Sequence, residues 1–192
     1  MKNNKGYTFI EMLIVISLIG VVMTVVSSLY ISNINVFKDT LEKSSIQIKN
    51  KSTVKRIKDD VLQGIKIEEI WVDGGTTYTS STNQIIINVP SVSADDNWIY
   101  SGPDLRIDHI VYWTDGNGDL WRRVDATYSN PTKRQSETAH VVARGATLTF
   151  TYNEAPSTGN TKKVDIELQI QKSANGENYS NTNKTSALLR NK

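Results

Sequence analysis

Hydrophobic and polar positions change rhythm twice along this chain. Between Glu11 and Lys38 lie 26 uncharged residues, Met12 to Phe37, and the part from Met12 to Tyr30 is strongly apolar and free of proline. About 20 such residues in a helix cross roughly 30 Å of hydrocarbon, so this stretch predicts a membrane-spanning helix. From Lys38 onward the apolar positions Leu41, Ile48, Val54, Ile57, Val61 and Ile65 recur mainly at intervals of three, four and seven, among Lys, Asp, Ser and Gln. That spacing predicts an amphipathic helix. No proline separates it from the apolar stretch, so one helix is expected from about Thr8 to Val61, with Gly64 closing it.

Beyond Gly64 the period falls to two. Leu105, Ile107, His109, Val111 and Trp113 alternate with Arg106, Asp108 and Thr114, although Ile110 and Tyr112 make the second face mixed. Leu148, Phe150 and Tyr152 alternate with threonines, and Val164, Ile166, Leu168 and Ile170 alternate with Asp165, Glu167, Gln169 and Gln171. Half-buried antiparallel strands have this pattern. Ile67–Val72, Gln84–Val89, Leu120–Val124 and His140–Ala143 are shorter candidates, for about seven strands between Gly-, Ser- and Asn-rich turns. Ser173 to Thr185, polar and Asn/Ser-rich, reads as a mobile loop. The expected class is α+β: a long N-terminal transmembrane and amphipathic helix packed on an antiparallel β-sheet.

With 192 residues the chain has room for one ordinary domain plus the anchor. Lys2 and Lys5 precede the apolar stretch, whereas Lys38 and Asp39 follow it as a mixed pair. The positive-inside bias therefore puts the amino terminus in the cytoplasm and the bulk of the chain outside. There is no cysteine, which excludes disulfides and thiolate metal sites and fits either redox compartment.

A secretory signal peptide has a shorter apolar stretch and a small-residue cleavage site. A plain signal anchor gives no reason for Glu11 at the threshold of the apolar run, where an unpaired carboxylate costs about 2.5 to 3.5 kcal/mol. The residues Lys5-Gly6-Tyr7-Thr8-Phe9-Ile10-Glu11-Met12-Leu13 resemble the type IV prepilin motif: a short basic leader, glycine before the cut, an aromatic first mature residue and glutamate four further on. The resemblance implies that prepilin peptidase, a membrane aspartyl protease, cleaves after Gly6 and that Tyr7 becomes the methylated amino terminus. It also implies that Glu11 meets that terminus on a neighbouring subunit during assembly. An α-ammonium, with a reference pKa of about 8, is a cation suited to neutralising a carboxylate in a low-dielectric bundle. Tyr7 stands where the family usually has phenylalanine, and Ser27 and Ser28 stand where major pilins often have a helix-breaking proline. The expected segments are a leader at 1–6, a transmembrane helix at 7–37, its amphipathic continuation at 38–64 and an extracytoplasmic β-sheet domain at 65–192. Loss of Lys2 and Lys5 leaves 20 basic against 20 acidic side chains, and this balance implies no nucleic-acid partner.

Four later stretches, Ile110 to Val124 with Tyr112, Leu120 and Arg122, Ala146 to Asn153 ending in Tyr152-Asn153, Lys163 to Leu168, and Thr185 to Asn191 ending in Leu189-Arg190-Asn191, are similar in pattern to minor pilins of the W class and to type II secretion minor pseudopilins of the J class. That resemblance implies a structural subunit of a type IV pilus or a type II secretion pseudopilus, at its tip or in its initiation, with other pilin-like subunits as partners. It also implies residence in the cytoplasmic membrane and then in the filament. The alternatives are a surface adhesin or DNA-uptake subunit of the same build, and a membrane-anchored enzyme.

Candidate chemistry is sparse. Asp115, Asn117 and Asp119 set oxygen-bearing side chains at positions one, three and five, like the start of a calcium loop, but Leu120 and Ala126 occupy positions that a full loop gives to glycine and glutamate. Asn117-Gly118 between two strands is also a hairpin signal, and the turn is the favoured reading, with calcium as the alternative cofactor. His109 and His140 are the only histidines, and His109 reads as a core histidine. Trp71, Trp98, Trp113 and Trp121 read as packing residues before they read as a ligand platform. No nucleophile motif, phosphate loop or zinc spacing occurs, so no enzyme activity and no catalytic residue is expected.

Overall fold

The structure, a computed structural model, describes residues 8–93, 95–101, 103–126, 134–174 and 176–190. The helix predicted from the two apolar regimes is α1 (Phe9–Gln63). Strands β1 (Lys66–Ile67), β2 (Ile70–Asp73), β3 (Thr76–Thr79), β4 (Gln84–Pro90), β5 (Tyr100–Ser101), β6 (Asp104–Leu105), β7 (Ile107–Thr114), β8 (Leu120–Asp125), β9 (Glu137–Ala143) and β10 (Ala146–Tyr152) follow. A 3-10 turn at Pro156–Thr158 then leads to β11 (Lys163–Ala174) and β12 (Glu177–Leu188). The chain divides into two units, residues 1–42 and 43–192.

Within the second unit every strand pairing is antiparallel. One sheet has the order β1-β4-β7-β8-β9 and a second has β10-β11-β12, while β2 with β3 and β5 with β6 form separate pairs. The main core lies between α1 and both sheets. Ile46, Val54, Ile57 and Val61 of α1 meet Ile85, Ile87, Ile110, Tyr112, Leu120 and Val124 of the first sheet, together with Leu148, Phe150, Val164, Ile166 and Leu168 of the second. Backbone hydrogen bonds from Ala146 to Gly118 O (2.6 Å), from Phe150 to Thr82 O (2.7 Å) and from Gln171 to Gly145 O (2.7 Å) tie the second sheet to its surroundings.

Four expectations change. The buried stripe of α1 is Ile46, Asn50, Thr53, Val54, Ile57, Asp60 and Val61, whereas Ile48 of the predicted stripe is 66% exposed. Polar residues join this stripe because the sheets give them partners; Asn50 Nδ2 donates to Asn181 O at 2.7 Å and to Leu168 O at 3.1 Å. On β7 the main core takes Ile110 and Tyr112, not the predicted face. The predicted face supplies Val111 and Trp113 to a smaller cluster with Ile86, Tyr78 and Trp71, so this strand is buried on both sides, by the main core on one and by the β2–β3 hairpin on the other. The expected strand at Ile67–Val72 is two short strands in different sheets, and β3 adds one that was not foreseen. Finally, the expected loop at Ser173–Thr185 is the end of β11 and most of β12, paired through twelve register positions from Lys163↔Leu188 to Ala174↔Glu177. Cross-strand pairing with an already apolar neighbour overrides the weak propensity of this polar sequence, which needs only Tyr179 and Ala187 to reach the core.

Gly64 does end the helix region, for a steric reason. A Cβ there would sit 2.6 Å from Ile87 Cγ2 and 3.1 Å from Leu189 Cδ2, so the chain leaves α1 through a gap that only glycine passes. Gly64→Ala is expected to lower unfolding stability by about 1–3 kcal/mol through overpacking, measured by denaturant titration of the full chain in detergent. Gly116→Ala, with nothing within 4 Å of its added Cβ, is the matched control and should change little.

Candidate functional site

The first unit carries the residues that the prepilin resemblance singles out. Gly6 and Tyr7 lie outside the described residues. Glu11 stands in the first turn of α1, and its Oε2 accepts hydrogen bonds from Thr8 N (2.8 Å) and Thr8 Oγ1 (2.9 Å), while Glu11 N donates to Thr8 Oγ1 at 3.4 Å. This is a capping box, in which the residue before the helix and the third residue inside it satisfy one another's backbone donors. The Thr8-x-x-Glu11 spacing is itself the sequence signature of this cap. No described residue donates to Oε1 of Glu11, so the cap leaves that oxygen to meet a further partner.

Downstream of the cap, the few polar side chains of the apolar stretch turn back on their own helix. Ser17 Oγ donates to Leu13 O (2.8 Å), Thr24 Oγ1 to Gly20 O (2.9 Å) and Ser28 Oγ to Val25 O (3.1 Å). Hydrocarbon offers these hydroxyls no partner, so internal bonding is what makes them tolerable there. Around them Leu13, Ile16, Leu18, Val22, Met23 and Val26 are all more than half exposed. Met12 to Phe37 at 1.5 Å per residue covers about 39 Å, enough for roughly 30 Å of hydrocarbon. The helix continues without a break through Ser27 and Ser28.

In the second unit the helix is fastened to the sheet by a charged group that the sequence did not reveal. Asp60 of α1 is 8% exposed; its Oδ2 accepts from Tyr112 Oη at 2.6 Å and from Arg122 Nε at 3.2 Å. Arg122 Nη1 also donates to Glu137 Oε2 at 2.5 Å, and Arg56 lies 3.7 Å from the same oxygen. Tyr112 and Arg122 are two of the pattern residues of the hairpin β7–β8. Tyr152, another, donates to Ser81 O (2.9 Å) and Gln84 O (3.1 Å), and Asn153 Oδ1 accepts from Lys162 N and Lys163 N (2.9 and 2.7 Å). All four are structural fasteners in this chain.

Of the remaining candidates, Asp115, Asn117 and Asp119 share one turn. Asp115 Oδ1 accepts from Asn117 N and Asp119 N, both at 2.9 Å, and Oδ2 from Trp121 Nε1 at 3.0 Å. These bonds, the indole's foremost, hold the Asp115 carboxyl below its usual range, and they build a hairpin turn closed by Gly118 at φ 75°. Among the described residues no cluster of three or more His, Cys, Asp or Glu side chains has metal-binding geometry. His109 Nε2 lies 3.1 Å from Glu68 Oε2 and its ring stacks on Trp71 at 4.8 Å. Trp71, Tyr78, Trp113 and Trp121 extend this into a row of ring contacts at 5.3 to 6.1 Å, tilted between Tyr78 and Trp113, so three of the tryptophans serve packing, and Trp98 lies beside Arg190.

Residues 1–27 match the family described as Prokaryotic N-terminal methylation motif. No curated protein and no solved structure matches the chain. The motif is a prepilin peptidase cleavage site, and it supports a type IV prepilin-like protein. A long N-terminal helix, apolar in its first part and packed on antiparallel sheets between Ile46 and Val61, gives the chain an α+β pilin-like fold, and helix and motif together fit a membrane-anchored pilin.

The Asp60 group yields a pH-dependent test. Burial first, and then the charge of Asp60, push the Tyr112 hydroxyl well above the usual tyrosine range. Above about pH 10 the unfolded chain therefore loses this proton while the folded chain keeps it, and stability falls as pH rises by up to about 1.4 kcal/mol per unit. Tyr112→Phe is expected to lose about 1 kcal/mol at neutral pH with the hydrogen bond and to show a shallower alkaline decline than the parent in denaturant titrations at stepped pH. Parallel slopes in the two proteins would contradict this.

Proposed function

We propose that this chain is a minor pilin or pseudopilin, a structural subunit that enters a type IV pilus or a type II secretion pseudopilus through its N-terminal helix and acts at the tip or in initiation. The observation that carries the reading is the methylation motif at 1–27, which runs directly into a helix with 26 uncharged residues and exposed apolar sides. The minor rank draws support from the unbroken helix at Ser27 and Ser28 and from the pattern at Tyr112, Leu120, Arg122, Tyr152 and Arg190.

In this reading the amino terminus faces the cytoplasm, prepilin peptidase cuts between Gly6 and Tyr7, and Tyr7 is methylated. The cut removes the leader's two lysines and frees an α-ammonium. Glu11, which uses Oε2 for its own cap, offers Oε1 to the α-ammonium of a neighbouring pilin-like subunit, and this pairing sets the stagger between helices. The sheet domain lies outside the membrane and contacts the other members of a hetero-complex. No catalysis, metal or cofactor enters the mechanism.

Intact mass and N-terminal fragment spectra of the protein from native membranes test the reading. A chain beginning at Tyr7 and carrying one extra methyl group on its terminal amine is expected. A chain retaining Met1, or starting at any other residue, would contradict it.

A further inference from the structure

At the C-terminal end of α1 the second unit has an open cleft of about 340 Å³, walled in part by Lys66, Gly159, Asn160, Lys162 and Arg190. Three stretches distant in sequence meet there and are fixed to one another. Arg190 N donates to Gly64 O and Leu189 N to Lys162 O, both at 2.8 Å. Asn153 Oδ1 holds the amides of Lys162 and Lys163, and Thr161, 5% exposed, donates to Glu154 O at 2.7 Å. The cleft is thus a pinned part of the fold.

Its charge is one-sided. Lys66, Lys162 and Arg190 contribute three cations, and none of the lining residues is acidic. Among the described residues none of the three is in an ion pair, in a chain whose basic and acidic side chains nearly balance overall. The guanidinium of Arg190 lies 5.2 Å from the Trp98 ring centroid. A ring face holds a guanidinium without using its N–H edge, so the donors stay available to an oxyanion. The negative end of the helix dipole is blunted here, because Val61 O and Gly64 O accept hydrogen bonds from Gly64 N and Arg190 N.

We propose that this cleft binds a phosphate group, as the free anion or as part of a phosphate-bearing chain. A single carboxylate would neutralise one of the three cations. A phosphate presents several charged oxygens to a guanidinium fork and two point charges at once. The walls are open and their cations exposed, so the cleft also suits a chain that passes through it. The proposal does not depend on processing of the amino terminus, so a negative result here leaves the mass-spectrometric test untouched.

The full chain in zwitterionic detergent is titrated at low ionic strength with inorganic phosphate and, separately, with a short oligothymidylate, against chloride at matched ionic strength. Saturable amide shifts at Lys66, Gly159–Lys162 and Arg190 are expected, with roughly tenfold weaker binding in the Lys66→Ala/Lys162→Ala double variant. For the oligonucleotide, the slope of log affinity against log salt should fall by about one per lysine removed. The Lys66→Arg/Lys162→Arg variant keeps the charge and should keep the binding. Tighter binding of oligothymidylate than of phosphate identifies a chain as the source, and equal binding identifies an isolated phosphate group. No saturable shift with either probe, or unchanged affinity in the double alanine variant, would overturn the proposal.

Discussion

A carboxylate at the edge of hydrocarbon has to be compensated, and the first unit of this protein is arranged around that requirement. Left bare near the bilayer, Glu11 would cost a few kcal/mol. Its own chain meets part of the need, since the Thr8 amide and hydroxyl both donate to Oε2 and the same contact starts the helix. The Thr8 amide, which lipid could not satisfy, is met by the residue that brings the charge, and the Glu11 amide by the Thr8 hydroxyl. What the cap does not supply is a counter-charge, and the proposed assembly supplies it as an α-ammonium on a neighbouring subunit. On this account a single side chain links helix initiation, membrane insertion and choice of partner.

The same economy of polar groups recurs along α1. In the apolar stretch Ser17, Thr24 and Ser28 satisfy themselves on preceding carbonyls. In the second unit the polar residues on the buried stripe, Asn50 and Asp60, instead find partners on the sheets. Replacing such a buried pair by apolar residues is often neutral, whereas removing one partner is costly. Asp60 and Arg122 are therefore better read as setting the register of helix on sheet than as a source of net stability. The second unit carries these fasteners in its interior.

The broad plan was legible in the sequence because it rests on long, strongly patterned segments. Twenty-six uncharged residues without a proline run as one helix within α1, and the clean alternation at Val164–Ile170 is that of β11. Errors arose where polar side chains took apolar roles or the reverse. Ile48 and Leu41 fit the helical period better than Asn50 and Asp60, yet hydrogen-bonding partners 52 to 131 residues away in sequence decided which face was buried. β12 is held by its neighbour, and no local propensity marks it. On β7 a second cluster beneath the β2–β3 hairpin made both faces apolar, so alternation could not tell which one faced the main core. At the candidate site Gly6, Tyr7 and Glu11 stood out through their resemblance to the prepilin motif, and residues 1–27 match the methylation-motif family. Glu11's capping role was missed because the glutamate was weighed as a charge and not as an acceptor.

The most direct test of the account separates those two roles of Glu11. Glu11→Gln keeps an acceptor for the capping box and loses the charge, whereas Glu11→Ala loses both. Site-specific cross-linking between this subunit and its pilin-like neighbours in native membranes, normalised to the amount of membrane-inserted protein, is the measurement. The account predicts normal insertion for both variants and loss of cross-linked complexes in Glu11→Gln as severe as in Glu11→Ala. Full cross-linking of the glutamine variant would contradict it, because the cap alone would then suffice and no charge pairing would guide assembly.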